Sequence, residues 1–277
     1  MLQERTIGFI GAGSMAEAIL AGLLRQKEVS RKQISIINRE DQERLKELTE
    51  RYRLDETKQR IETVAKSDIV ILAVKPKDVP EVLQTWGHLF SEDQMLLSVA
   101  AGISTSLLEQ HVTGKMAVIR VMPNTSCAVG QSATAICPGS HVSPEQLETA
   151  RLIFRSIGSV IVVDESLMDA VTGLSGSGPA YVYYLAESLE AAGISAGLSP
   201  ETSRALTVQT LLGASQMLLK TGKAAEELRR EVTSPGGTTM AGLEVLDQYQ
   251  LDEAIKKAVL RAKARSVEMG QQIAITF

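Results

Sequence analysis

The feature that most constrains this 277-residue chain is a glycine turn set directly between a strand and a helix. Thr6–Ile10 is a short apolar run, Gly11-Ala12-Gly13 follows, and Ser14–Arg25 repeats apolar residues at helical spacing, with Met15, Ala18, Ile19, Gly22 and Leu23 on one face. Each small residue has a physical reading in that position. Gly11 permits a tight turn, Gly13 lets a pyrophosphate approach the backbone, and Ala16 lets helix and strand pack closely. The helix then directs free N–H groups and its positive end at the phosphates. A glycine fingerprint alone is a weak signal. Its setting between strand and helix makes Gly11, Ala12, Gly13, Ser14, Met15 and Ala16 the expected cradle of a dinucleotide.

The rest of the first half alternates in the same way. Ile34–Ile37, Ile69–Val74, Met95–Val99, Met116–Val121, Ser132–Cys137 and Ser159–Val163 read as strands. Asp41–Arg51, Asp78–Leu89, Thr105–His111 and Pro144–Arg155 read as the helices between them. Such alternation predicts an α/β fold, a parallel, doubly wound sheet of Rossmann type over residues 1–164. After Asp164 no further strand is predicted. Ala180–Ala196, Pro200–Lys220, Ala224–Glu231, Met240–Tyr249 and Asp252–Ile273 read as helices, several apolar on most of their circumference. A helix that is apolar all round must be buried, and residues 165–277 offer little interior for it. The expectation is an all-helical dimerisation and substrate domain that packs against a second copy. A self-contained bundle is the alternative.

Composition excludes several classes. With 29 basic and 33 acidic residues the net charge is -4, which gives no basic face for nucleic acid. No apolar run reaches the roughly 18 residues of a membrane span. The two cysteines, Cys127 and Cys137, and the separated His88, His111 and His141 form no metal-ligand spacing, so no metal is expected. No charged leader precedes an apolar segment, and a cytoplasmic setting is expected.

Ligands in doubly wound folds sit outside the carboxyl ends of the strands. Ala73-Val74-Lys75-Pro76, Ala100 and Asn124 follow three strands there and should line one crevice. At the end of the second strand an acid would bind the ribose hydroxyls of NAD; Asn38-Arg39 stands there instead. Asn38 can hydrogen-bond, and Arg39 can pair with a 2′-phosphate or cover the adenine. NADP, as NADPH, is therefore the expected cofactor, with NADH a possible substitute because Glu40 and Asp41 weaken the signal.

Two stretches of the second half carry further chemistry. Gly173-Leu174-Ser175-Gly176-Ser177-Gly178-Pro179 reads either as a capped helix start or as a place where something approaches the backbone closely. Ser234-Pro235-Gly236-Gly237-Thr238-Thr239 is sharper. Its glycines can turn successive N–H groups inward just before a helix, a nest that suits a small carboxylate. The hydroxyls of Ser234, Thr238 and Thr239 could reach a ring nitrogen.

With these stretches and Gly8-Phe9-Ile10-Gly11-Ala12-Gly13-Ser14-Met15, the sequence resembles the pyrroline-5-carboxylate reductase family along essentially its whole length. The resemblance implies an NADPH-dependent reduction of a cyclic imine to L-proline, the last step of proline biosynthesis, in homodimers that can assemble into decamers. It implies that the loop with Ser234, Gly236, Gly237 and Thr238 holds the substrate carboxylate. Thr239 would hydrogen-bond the ring nitrogen as the catalytic residue, and Glu165 would stand near the substrate. Arg60 departs from the asparagine of many relatives, which leaves nucleotide preference open.

The residue inventory agrees with imine chemistry. The β-hydroxyacid dehydrogenases share the glycine spacing seen here at Gly173, Gly176 and Gly178, but carry a lysine and an asparagine where this chain has Val182 and Ala186. Carbonyl reduction needs a proton donor there; a protonated imine does not. The rival readings are another imine or hydroxyacid reductase, and a non-catalytic NADP sensor.

Overall fold

A computed structural model describes residues 2–55 and 61–277. Its contacts form two compact units, Met1–Ser177 with Leu260–Phe277, and Gly178–Val259. Sequence reasoning divides the chain once, at 164/165; here the division falls at 177/178, and the chain returns to the first unit at Leu260.

In the first unit the described elements are β1 (Ile7–Ile10), α1 (Ser14–Arg25), β2 (Ile34–Ile37), α2 (Gln42–Tyr52), α3 (Ile61–Val64), β3 (Ile69–Leu72), α4 (Val79–Trp86), β4 (Met95–Ser98), α5 (Thr105–Glu109), β5 (Ala117–Met122), β6 (Ser132–Pro138), α6 (Pro144–Arg155), β7 (Gly158–Val162) and α7 (Met168–Val171). Among the described residues seven strands make one sheet in the order β2-β1-β3-β4-β5-β6-β7. β1 to β4 are fully buried, as strands covered on both faces must be. Alternation sorts their side chains. Ile69 and Ile71 enter a core with Phe9, Ile19, Leu23 and Phe154, under α1 and α6. Val70 and Leu72 enter the opposite core with Val79, Leu83, Leu108 and Ile273.

The α/β class and the doubly wound sheet are as expected, with one departure: β6 runs antiparallel to β5. Residues 123–131 are too few for a crossover, which needs a dozen or more. They hold only a 3-10 turn, Thr125–Val129, closed by left-handed Gly130. β7 is again parallel to β6, because α6 supplies the crossover.

The second unit contains α8 (Gly178–Ser195), α9 (Pro200–Thr221), α10 (Ala225–Glu231), α11 (Thr238–Gln248) and the first part of α12 (Leu251–Ala274). α8 and α9 pack as a helical hairpin, where Ser203 donates to the Glu190 carbonyl at 2.8 Å. Their apolar residues are not used up within the chain: Tyr184 is 74% exposed and Leu219 77%. The end of α12 belongs to the sheet unit. There Ile273 is buried, the Phe277 ring lies 4.3 Å from that of His111, and Gly270 abuts Gly102 so closely that a Cβ on Gly270 would collide with the Gly102 carbonyl.

Phe154 fills the core between α6 and the sheet with no exposed surface. Phe154→Ala is expected to lower the free energy of unfolding by about 3–5 kcal/mol, measured by urea titration.

Candidate functional site

The glycine turn has the geometry its sequence promised. Gly11 sits at φ +106°, and a Cβ on it would meet the Ala73 carbonyl carbon at 2.8 Å. Its N–H donates to the Ile37 carbonyl at 2.9 Å, and Ala73 N–H donates to Ile10 at 2.8 Å. The ends of β1, β2 and β3 are thereby drawn together. Gly13 is different. It precedes α1 in extended backbone, no side chain caps the helix, and a Cβ on Gly13 meets no protein atom within 4 Å. The protein's own packing does not require glycine there, so the space and the free N–H groups behind it suit a phosphate. Ala12 and Ala16 are buried against the sheet, Ser14 is exposed, and the sulfur of Met15 lies 3.7 Å from that of Cys127.

Beside the turn lies a cavity of about 260 Å³. Its lining is Ile10, Gly11, Ile37, Asn38, Arg39, Glu40, Val74, Asp78, Glu81, Val82, Thr85 and Trp86. An apolar floor with polar residues at the end of β2 is where the adenosine of a dinucleotide belongs. Asn38 and Arg39 line it as expected. Arg39 ion-pairs with Glu40 at 3.1 Å and with Glu81 of α4, and Asn38 donates to the Asp41 carbonyl at 3.1 Å. Glu81 and Trp86 were not anticipated, because nothing local in the sequence tells which face of α4 meets the cavity. Arg60 lies outside the described residues.

The other crevice loops differ in freedom. Val74 reaches the cavity, while Lys75 leads into a 3-10 turn that begins with Pro76. Ala100 is 3% exposed. Asn124 is committed internally: its amide donates to the Ser175 carbonyl at 3.0 Å and its side-chain oxygen accepts from Ser126 N–H at 3.2 Å. That ties the loop after β5 to the Gly173–Gly176 stretch. The stretch forms a π-helical turn, Thr172–Gly176, and α8 then begins at Gly178 with Pro179 in its first turn. A Cβ on Gly176 would meet the terminal methyl of Met122, the movable end of a flexible side chain.

Glu165 also has its oxygens engaged. Oε1 accepts from Arg120 Nη1 at 2.7 Å; Oε2 accepts from Thr105 N–H at 3.1 Å and Thr105 Oγ1 at 2.6 Å. Arg120, 4% exposed, also reaches Asp169 at 3.2 Å, and Ser266 Oγ donates to Asp169 at 2.7 Å. Burial would raise the Glu165 carboxyl, but the Thr105 and Arg120 hydrogen bonds outweigh it and hold it below 4.5. Burial, with the Glu165 charge second, pushes the Cys137 thiol up to about 12, so it stays protonated. The sequence signal for this cluster was an arginine in the middle of an otherwise apolar strand.

In the second unit, Ser234–Thr239 leads into a helix as expected, but the N–H groups of its two glycines are used within the chain, Gly236 N–H donating to Met240 Sδ at 3.4 Å. Gly236 takes φ +69°, and Gly237 N–H donates to the Ser234 carbonyl at 3.0 Å. Gly237 is the N-cap of α11 and no side chain caps it, which leaves the N–H groups of the first turn, from Thr238 and Thr239 onward, without a helical partner. A Cβ on Gly237 would collide with Ser234 Oγ.

Among the described residues, no group of three or more His, Cys, Asp or Glu could hold a metal, and no helix is long and apolar enough to cross a membrane.

Residues 165–269 match the family described as pyrroline-5-carboxylate reductase dimerisation, and residues 6–102 match the coenzyme F420-dependent NADP oxidoreductases. The exposed apolar helices thus coincide with a dimerisation region, and the chain self-associates through it. Pyrroline-5-carboxylate reductase 2 of Bacillus subtilis is 43% identical over 270 residues, covering 98% of this chain and 97% of that one. A solved pyrroline-5-carboxylate reductase from Coxiella burnetii superposes with a TM-score of 0.88 at 35% identity, over 96% of this chain and 98% of that one. The Plasmodium falciparum structure, solved with NADP bound, gives 0.84 at 30% identity, over 97% and 99%.

Two outcomes are expected. Gly13→Val should change the free energy of unfolding by less than about 1 kcal/mol in denaturant titration, yet weaken dinucleotide binding more than about tenfold by calorimetry. Arg120→Met should cost about 2–4 kcal/mol, below a fully buried pair because Glu165 keeps part of its surface. Because the folded Glu165 carboxyl titrates below 4.5, its contribution to stability is complete above that value and is lost as pH falls through the lower folded one. Urea midpoints across acid pH should therefore fall less steeply in Arg120→Met than in wild type.

Proposed function

This chain belongs to the pyrroline-5-carboxylate reductase family, and on that premise we propose that it reduces 1-pyrroline-5-carboxylate to L-proline with NADPH, the final step of proline biosynthesis. The observation that carries the substrate assignment is the uncapped α11 N-terminus behind Gly236 and Gly237, a cradle for one small carboxylate. What supports NADPH is the uncapped α1 N-terminus at Gly13 with the Arg39-bearing cavity beside it.

Gly11–Ala16 hold the pyrophosphate, Asn38 and Arg39 the adenosine end, and Ala73–Pro76, Ala100 and Asn124 shape the crevice. Bound NADPH supplies a hydride from C4 of its nicotinamide. Ser234, Gly236, Gly237 and Thr238 hold the substrate carboxylate, which fixes the ring. Thr239 hydrogen-bonds the ring nitrogen. The protonated imine carries its own activation: hydride adds to carbon, the C=N electron pair goes to nitrogen, and a neutral amine results. No residue must deliver a proton in that step, which suits Val182 and Ala186 where carbonyl reductases carry lysine and asparagine. Glu165 stands near the substrate and also fixes Thr105 and Arg120, and its Oε1, which accepts one bond from Arg120, keeps a second lone pair for a further donor. Residues 1–164 serve as the dinucleotide domain and 165–277 as the dimerisation and substrate domain, whose two ends, 165–177 and 260–277, join the sheet unit. The family resemblance also supports a cytoplasmic enzyme whose dimers assemble into decamers.

Purified protein is expected to oxidise NADPH on addition of pyrroline-5-carboxylate, and NADH more weakly, followed by loss of reduced-nicotinamide absorbance. Thr239→Ala should lower kcat by roughly ten- to a hundredfold without abolishing it. A wild-type rate in that variant removes Thr239 from the mechanism; turnover of β-hydroxy acids in place of the imine overturns the reaction.

A further inference from the structure

Arg39 is the single cation among the described residues that line the adenosine cavity, and three carboxylates, Glu40, Asp78 and Glu81, share that lining. Its guanidinium is already taken, by Glu40 next to it in the chain and by Glu81 from the first turn of α4. The two partners are not equivalent. Glu40, 78% exposed, is a sequence neighbour; Glu81, 58% exposed, comes from another element, so its pair with Arg39 ties the end of β2 to α4 within the cavity lining. A 2′-phosphate carries about -1.5 to -2 charge. To be paired by Arg39 it must draw the guanidinium from Glu81 and then sit beside the carboxylate it displaced. A 2′-hydroxyl meets no such opposition, because it can donate a hydrogen bond to a carboxylate.

We propose that Glu81 is the residue that sets nucleotide preference here: it competes with the 2′-phosphate for Arg39 and thereby keeps NAD(H) in contention with NADP(H). The inference rests on the cofactor reading above and deepens it. A residue that only stabilised the start of α4 through the helix dipole would affect folding and leave the preference untouched.

The test is calorimetric titration of the full chain with NADP+ and NAD+ at low ionic strength. In Glu81→Gln the ratio of Kd for NAD+ to Kd for NADP+ is expected to rise about two- to fivefold. In Arg39→Met it should fall at least about tenfold, and adding Glu81→Gln to Arg39→Met should shift it by less than about twofold. An unchanged or lower ratio in Glu81→Gln, or an equal rise with Arg39 absent, overturns the proposal. Oxidised nucleotides bind without substrate, so a failed imine assay leaves this measurement standing, and an unchanged ratio leaves imine reduction standing.

Discussion

The first unit depends on how closely two strand ends can approach. Gly11 turns at φ +106° with its Cα against the carbonyl of Ala73, at the exits of β1 and β3. Any side chain there would force β1 away from β3, and α1, which starts at Ser14, would move with it. A second absent side chain fixes the other half of α1: a Cβ on Gly22 would meet the Ser156 carbonyl at 2.7 Å. The helix is thus seated between two contacts that only hydrogen can make. Its N-terminus points where it does because both hold. The phosphate cradle is a consequence of packing before it is a binding site.

Much of this was legible because the relevant signals are local. β1 to β4 are apolar runs broken only by Ser35 and Ser98, and the glycine fingerprint occupies the turn between β1 and α1. What escaped sequence reading was set by distant partners. Gly102 and Gly270 each look unremarked in sequence; only the fold brings them back to back, and with them the end of α12 onto the sheet unit. The antiparallel β6 follows from a link too short to cross over, a matter of counting that a strand-by-strand reading overlooks. Gly173–Gly178 suggested a capped helix start or a close backbone approach; α8 does start at Gly178, but the π turn Thr172–Gly176 before it had no local signal. In the site, glycine positions could be read and the rim of the cavity could not, since Glu81 and Trp86 face it only through the way α4 packs.

The Arg120 cluster shows how a charge inside the sheet can be structural and still bear on the site. Arg120 sits in β5 among buried apolar neighbours, where an unpaired guanidinium would be costly. Glu165 and Asp169 neutralise it, and Glu165 reaches on to both donors of Thr105 in the first turn of α5. The loop that carries Ala100 and Gly102 ends at that turn. A carboxylate that resemblance assigns to the substrate thus also holds a crevice loop in place.

Helix starts elsewhere in the chain make the glycine caps informative. α5, α6 and α9 begin at Ser104, Ser143 and Ser199, each of which accepts a hydrogen bond from the first turn. α1 and α11 begin at Gly13 and Gly237 with no such bond, as do α4, α7 and α10, but only these two combine a bare start with an N-cap glycine. A serine cap in those two places would stabilise each helix by about 1 kcal/mol. It would also occupy the N–H groups with an internal acceptor. An anion could then bind only by displacing it. Leaving the two ends bare trades that stability for donors already aimed and unoccupied, and the two anions of the proposed reaction, a pyrophosphate and a ring carboxylate, are the guests such ends would hold.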